Sequence, residues 1–388
     1  MLKIRSSFVF TVTALLVSAL FTACGGGNGG TTNSDGTPVS SKIGHVFVIV
    51  LENENASTSF GSGSSAPYLA QTLTAQGAYL SNYYGIGHNS LDNYIAMISG
   101  QGPNRTTQLD CQTYVEFSGG APTAANGQSK GSGCIYPTSV PSLPDQLTAA
   151  GLSWKGYMED MGNTPSRESA TCGHPAIGAK DNTQSATAAD QYATRHDPFV
   201  YFHSVIDDQA SCDAHVVNLS KLDADLADAG STPNFTFITP NLCHDGHDAP
   251  CADGEPGGLT SADSFLQTWV PKILASPAYQ QDGLLIVTFD ESGGALADSS
   301  ACCGEGPSAN VLLPGIAGLG GGKVGAVVLS PFVKGGTVSA TDYNHYSLLR
   351  SVEDLFGLQY LGYAGLSGQA GFGSDVYTLK QPELPPKS

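Results

Sequence analysis

The sequence predicts an α/β fold, with a largely parallel central sheet flanked by helices and long loops pinned by disulfides. Three observations carry this. Several runs are continuously apolar and rich in β-branched residues, as strands buried on both faces are. Amphipathic segments with helical spacing lie between them. Nearly every apolar run ends in a cluster of His, Asp, Glu, Asn or Ser, at the strand ends where open α/β sheets bind their ligands.

In chain order, "HVFVIVL" (45–51) reads as the first buried strand, and Glu52-Asn53 follow it. "AYLSNYY" (78–84) reads as a second strand, leading into "GIGHNS" and then the helical segment "LDNYIAMISG". A shorter pair, "LPDQLTAAG" and "LSWKGYM", follows (143–158). "NFTFITP" (234–240) ends in "NLCHDGHD", and "GLLIVTF" (283–289) ends in "DESGG". In "SFLQTWVPKILA", Phe265, Trp269, Val270, Ile273 and Leu274 share a face, with Pro271 a candidate kink. "KVGAVVLSPFV" (323–333) leads by a loop to "DYNH". The last helix, "HYSLLRSVEDLFGL", places Leu348, Leu349, Val352, Leu355 and Phe356 together and stops at Gly357. The Gly-, Ser- and Asn-rich stretches near 101–135, 160–215 and 292–310 read as loops decorating a single domain over 43–388.

The N-terminus reads as an export signal. Lys3 and Arg5 precede an uncharged, mostly apolar segment ending near Ala23. Residues 1–23 are taken as the signal and 24–42 as a flexible tether. Cys24, in "LFTACGGG", resembles the lipid-modified cysteine of bacterial lipoproteins, although Phe21 stands where those motifs prefer Leu. A cleaved signal with a chance cysteine is the competing reading. The expected location is the bacterial envelope, held by a lipid at Cys24, or else secreted. Of nine cysteines, setting Cys24 aside leaves eight, enough for four disulfides in an exported chain. Adjacent cysteines rarely bridge each other, so Cys302 and Cys303 are each expected to bond elsewhere.

The chain carries 34 acidic against 16 basic residues, a formal charge of −18. Nucleic acid needs basic patches, so this balance excludes it as a partner. An anionic substrate would be repelled at long range and would need local cations. No protein partner is implied.

Five polar strand ends suggest one shared site. Glu52, Asn53, Asp290 and Glu291 offer hard oxygen ligands suited to a divalent metal, with Ca²⁺, Mg²⁺ or Mn²⁺ favoured over a thiolate-held ion. Ser90 would begin a helix beside unpaired backbone N–H groups, where an anion is stabilised; a plain N-cap is the alternative. Asn93 could donate an amide hydrogen bond to the same anion. His244 and His247 could ligate metal, hold phosphate oxygens or protonate a leaving group. A metal-activated hydroxyl attacking an anionic centre fits phosphoryl transfer.

These motifs resemble a family of bacterial phosphoesterases, including secreted acid phosphatases and phospholipase C enzymes, within the alkaline-phosphatase superfamily. The resemblance spans roughly 43–360. "VFVIVLENENASTSFG" is similar to the family opening, and "HNSLDNYIAMISG" to the nucleophile segment, with Asp92 where the family has Pro. "RHDPFVYF" resembles a His-Asn-Pro-Phe segment, "IVTFDESGG" the Asp-Glu-x-Gly-Gly motif, and "NHYSLLRSVEDLFGL" the C-terminal His-x-Ser-x-Leu-Arg helix. The resemblance implies an alkaline-phosphatase-like fold and a divalent metal held by Glu52, Asn53, Asp290 and Glu291. It implies Ser90 as nucleophile through a phosphoseryl intermediate, and Asn93 as phosphate ligand. His196, His247 and His345 would be further active-site imidazoles, with His88 orienting Ser90 or touching phosphate. His247 is favoured over His244 as the catalytic one.

The Asp-His pair that phospholipase-type members carry after Asp-Glu-x-Gly-Gly is replaced by "ALADSSACC". The expected activity is therefore a phosphomonoesterase of acid-phosphatase type on small phosphate esters or phosphoinositides; a phospholipase C-like phosphodiesterase is the alternative. If a protonated His assists the leaving group, activity should rise as pH falls toward ~6.

Overall fold

The computed structural model describes residues 41–123 and 126–387. The signal segment, Cys24 and nearly all of the tether lie outside the described residues.

An eight-stranded sheet organises the chain. Its strands are β1 His45–Leu51, β2 Ala78–Leu80, β3 Trp154–Met158, β4 Val216–Asn218, β5 Phe235–Thr239, β6 Gly283–Phe289, β7 Ala326–Leu329 and β8 Thr337–Ser339, in the spatial order β8-β2-β7-β6-β1-β5-β3-β4. The two longest strands, β1 and β6, are buried at every position, which is why they read as unbroken apolar runs. They pair in parallel from His45↔Gly283 to Leu51↔Phe289, and β1 pairs in parallel with β5 on its other side.

β7 runs antiparallel to both neighbours. The long segment 290–325 leaves the C-terminal end of β6 and re-enters the sheet at that same end, so β7 has to run back. A buried apolar run reads alike in either direction, and the sequence is silent on this. "AYLSNYY" forms two pieces. β2 ends at Leu80, and Tyr83 and Tyr84 pair instead with Tyr343 and Asn344 outside the main sheet. β4 and β8, of three residues each, carry too little pattern to be read in advance.

Four helices matter most: α1 Ser90–Ser99, α2 Leu143–Ala149, α3 Gly258–Ala275 and α4 His345–Phe356. α1 is buried along its whole length and packs on α4. Its end is set by Gly100 at φ +66°, a left-handed cap that glycine adopts without a Cβ penalty. α4 stops at Gly357 in the same way. α3 begins several residues before its apolar pattern and contains Pro271 near its last turn.

The eight described cysteines form four disulfides: Cys111–Cys134, Cys172–Cys212, Cys243–Cys251 and Cys302–Cys303. The last corrects the expectation that Cys302 and Cys303 bond elsewhere. The other six pair among themselves, and Cys303 turns back at φ +64°, bringing its sulfur onto that of its neighbour.

Candidate active site

The parallel register of β1 and β6 builds the centre of the site. Leu51 pairs with Phe289, so the next residues, Glu52 and Asp290, emerge side by side at the carboxyl edge of the sheet. The Asp290 N–H still donates to Leu51 O at 2.8 Å, one bond beyond the ladder. Glu52 N donates to Asp245 O at 2.7 Å, which draws in the turn after β5. Three neighbouring strands thus deliver Glu52, Asp290 and Asp245 to one buried place.

Ser90 meets them from the first turn of α1. Its Oγ–H donates to Glu52 Oε2 at 2.7 Å, and the Tyr94 hydroxyl, one helical turn on, donates to Glu52 Oε1 at 2.5 Å. Asn89 enters α1 at φ +77°, and Asp110 accepts the Leu91 N–H at 3.0 Å, satisfying one free donor of the helix start. Asn53 joins the two acidic strand ends: its N–H donates to Asp290 Oδ1 at 3.0 Å and its amide to Glu291 Oε1 at 3.1 Å.

These carboxyls are far from ordinary. Burial, then repulsion from Asp290 and Asp245, holds Glu52 well above the usual carboxylate range. Burial raises Asp290, and burial with the Asp290 charge raises Glu291. Asp245 is pushed up to about 7, chiefly by burial. His196 sits between Glu52 Oε2 at 3.5 Å and Asp245 Oδ2 at 3.6 Å and stacks on Tyr94 with ring centroids 5.3 Å apart. Burial, with the nearby Arg195 and His247, drives its pKa well down, so it is a neutral ring wedged between acids.

The remaining residues separate into those on the cavity and those behind it. His247 is half exposed, with Nδ1 2.9 Å from Asp248 Oδ1, and that contact raises its pKa. His244 turns away into an ion pair with Glu159 at 2.9 Å, which helps raise its pKa to about 9 against the cost of burial. His88 lies 3.0 Å from Glu291 Oε2 and 2.8 Å from the Asp298 carbonyl. Asn93 and His345 stand behind the site. Asn93 Oδ1 accepts from Ile86 N and Gly87 N at 2.7 and 3.1 Å, while its amide donates to Gly87 O and Asn89 O. Its amide is fully used in shaping the turn before Ser90. His345 is buried between the Asp290 carbonyl at 2.5 Å and the Tyr83 hydroxyl at 3.1 Å, and burial lowers its pKa to about 4. Asp92 packs against Gly87 with neither carboxylate oxygen hydrogen-bonded, and burial raises it strongly.

A cavity of about 250 Å³ is lined by Glu52, Asn53, Ser90, Asp110, Arg195 and His247, among others. Among the described residues Arg195 is the only Lys or Arg on its wall, is largely buried and lies 3.9 Å from Asp110. Sequence reasoning missed Arg195, Tyr94, Asp110 and Asp245. Arg195 had a signal, since it immediately precedes His196 in "RHDPFVYF".

The donor set fits a hard divalent cation. Three carboxylates and an amide converge, and Asp290 Oδ2 is buried with no hydrogen-bond partner. The tightest groupings of His, Cys and carboxylate ligand atoms among the described residues lie elsewhere, around Cys243 and Cys251, whose sulfurs are already bonded to each other. The fit therefore rests on donor chemistry and the orphaned oxygen, not on a closed cage.

The fold and the site define an α/β protein with a buried acidic centre at the carboxyl edge of its sheet, and the family profile says which. The profile of the Phosphoesterase family matches residues 62–359, and the chain belongs to that family. A probable acid phosphatase of Kluyveromyces lactis is 25% identical over 81% of this chain and 59% of its own length. An acid phosphatase of Aspergillus fumigatus is 24% identical over 75% of this chain and 51% of its own. The chain thus spans between half and three fifths of these fungal relatives. A phosphatidylinositol-3-phosphatase of Mycobacterium tuberculosis is 25% identical over 82% of this chain and 79% of its own length. A solved protein of the alkaline phosphatase superfamily from Vibrio parahaemolyticus superposes over 81% of this chain and 66% of its own, with 13% identity and a TM-score of 0.47.

Proposed function

We propose that this protein is a metal-dependent phosphomonoesterase that works through a phosphoseryl intermediate on Ser90. The observation that carries the proposal is the Ser90 hydroxyl. It is held at 2.7 Å by a buried carboxylate, at the start of α1, in a cavity whose wall carries Arg195. A divalent ion held by Glu52, Asn53, Asp290 and Glu291 would supply the positive charge that favours the Ser90 alkoxide and offsets the substrate's negative charge.

The chain's own residues do the rest. Arg195 binds phosphate oxygens and offsets the repulsion of an acidic chain. Ser90 Oγ, positioned by its hydrogen bond to Glu52 Oε2, attacks phosphorus as its proton leaves to water. The ester P–O bond breaks as His247 passes a proton to the leaving oxygen. Water then attacks the phosphoserine, releasing phosphate and restoring the hydroxyl. His196, neutral and stacked on Tyr94, fills the space between Glu52 and Asp245, and His88, anchored on the Asp298 carbonyl, lies beside Glu291. Asn93 and His345 hold the turn and strand end that carry Ser90 and Asp290. The named relatives are phosphatases, which supports the monoester reading.

The test is hydrolysis of p-nitrophenyl phosphate beside bis-p-nitrophenyl phosphate, with wild type, Ser90→Ala and chelator-treated protein. The monoester should be preferred and both treatments should abolish turnover. Preference for the diester transfers the site to the phospholipase C-like reading, and full activity in Ser90→Ala removes Ser90 as nucleophile.

A further inference from the structure

We propose that the segment joining β6 to β7 is a lipid-docking rim that seats the protein on a zwitterionic lipid surface. The inference rests on the surface itself for its docking and on the hydrolase reading above for the activity used to test it. Among the described residues ten large apolar side chains are exposed, and five of them, Leu296, Leu312, Leu313, Ile316 and Leu319, lie on this one segment. Leu296 is 97% and Leu312 79% exposed. A sixth, Leu109, belongs to the same place: its neighbour Gln108 donates to Leu313 O and Pro314 O at 2.9 and 2.7 Å, and Asp110 lines the reaction cavity.

The patch is continuous with the site. Ile316 lines a depression shared with His88, Asn89, His247 and Glu291. The Ser299 hydroxyl lies 2.6 Å from Ala295 O and 3.0 Å from Gly315 O, tying the backbone just before Leu296 to that just before Ile316. Ile316 itself is held at φ +64°, a region β-branched residues avoid. Exposed apolar patches of this kind mark interaction surfaces.

The chemistry of the patch selects its occupant. Its six exposed apolar side chains are all Leu or Ile, whereas Trp, Tyr and Arg dominate protein interfaces. Residues 292–322 contain no Lys or Arg. Their two acids are engaged internally: Asp298 accepts from the Lys323 and Ser300 N–H groups, and Glu305 accepts from the Asn344 amide. With a chain charge of −18, an anionic membrane would be repelled, and a zwitterionic one would not.

The test compares wild type with the triple variant Leu296→Ser/Leu312→Ser/Leu313→Ser, both carrying Cys24→Ser so that no lipid at that position contributes. Readouts are co-sedimentation with phosphatidylcholine vesicles, hydrolysis of long-chain phosphatidate in those vesicles, and hydrolysis of soluble p-nitrophenyl phosphate. Wild type should sediment with vesicles. The variant should lose sedimentation and at least fivefold of the vesicle activity while keeping its soluble activity. The proposal is overturned if wild type does not bind vesicles, if the variant binds as well as wild type, or if both activities fall equally. It is also overturned if wild type is a lipid-free dimer that the variant dissolves. Absence of soluble turnover in wild type would instead count against the hydrolase reading, with sedimentation still deciding the rim.

Discussion

Arg195 and His247 do different work in the same cavity, and substitutions separate them. Arg195 is a largely buried cation on the wall. A charge-assisted hydrogen bond is worth about 1.5–3 kcal/mol, so Arg195→Gln should lower kcat/KM for a phosphate monoester roughly 10- to 100-fold, measured by steady-state kinetics. His247 is raised by its contact with Asp248. If protonated His247 assists the leaving group, activity falls as pH rises through its pKa. Removing the carboxylate lowers that pKa, so Asp248→Asn should move the alkaline limb of the kcat/KM profile to lower pH. An unmoved limb would take the acid role from His247. The sequence made the metal-ligand candidates legible because Glu52 and Asp290 directly follow the two central buried strands, and a strand end is a fixed place. Arg195 comes from a single 3-10 turn, Thr194–His196, and Asp245 from a loop, and the reach of both is set by tertiary packing rather than by local pattern. Asn93 was legible as near the site, but not in the direction its amide takes.

At the scale of elements, α1 is the part whose position decides activity, because it carries Ser90 and is buried along its length. Its end depends on Gly100. A Cβ there would need φ +66° and would lie 2.2 Å from Leu361 O. Gly178 has φ +84° with nothing within 4 Å of such a Cβ. Gly178→Ala should cost only the backbone penalty, about 1 kcal/mol, while Gly100→Ala should cost clearly more and reduce turnover as α1 shifts. Urea denaturation of both variants beside phosphatase assays measures this. The central strands and α4 were legible because length and period agree, and α4 also announced its stop at Gly357. β4 and β8 were not, since three residues hold no period. The reversed direction of β7 was hidden because both faces of the strand are buried.

For the molecule as a whole, the disulfides divide stability from activity. Cys172–Cys212 closes a span of 40 residues and Cys243–Cys251 a span of 8. Loop-closure entropy assigns about 4 kcal/mol to the longer and about 2.5 kcal/mol to the shorter. The longer one ties the loop after β3 to the segment leading into β4, at the edge of the sheet remote from β1 and β6. The shorter one encloses Asp245 and His247, which sit against Glu52 and Ser90. The order of effects on folding and on chemistry should therefore invert. Replacing both cysteines of Cys172–Cys212 with Ala should lower the unfolding free energy more, yet leave kcat/KM close to wild type under conditions where the protein stays folded. The same change at Cys243–Cys251 should cost less stability and more activity, because the turn after β5 then loses the closure that brings His247 over the cavity. Denaturation midpoints and kinetics on the two double variants decide it. A variant of Cys172–Cys212 that stays fully folded but is inactive would mean that the edge of the sheet governs the site, and that β1, β5 and β6 alone do not.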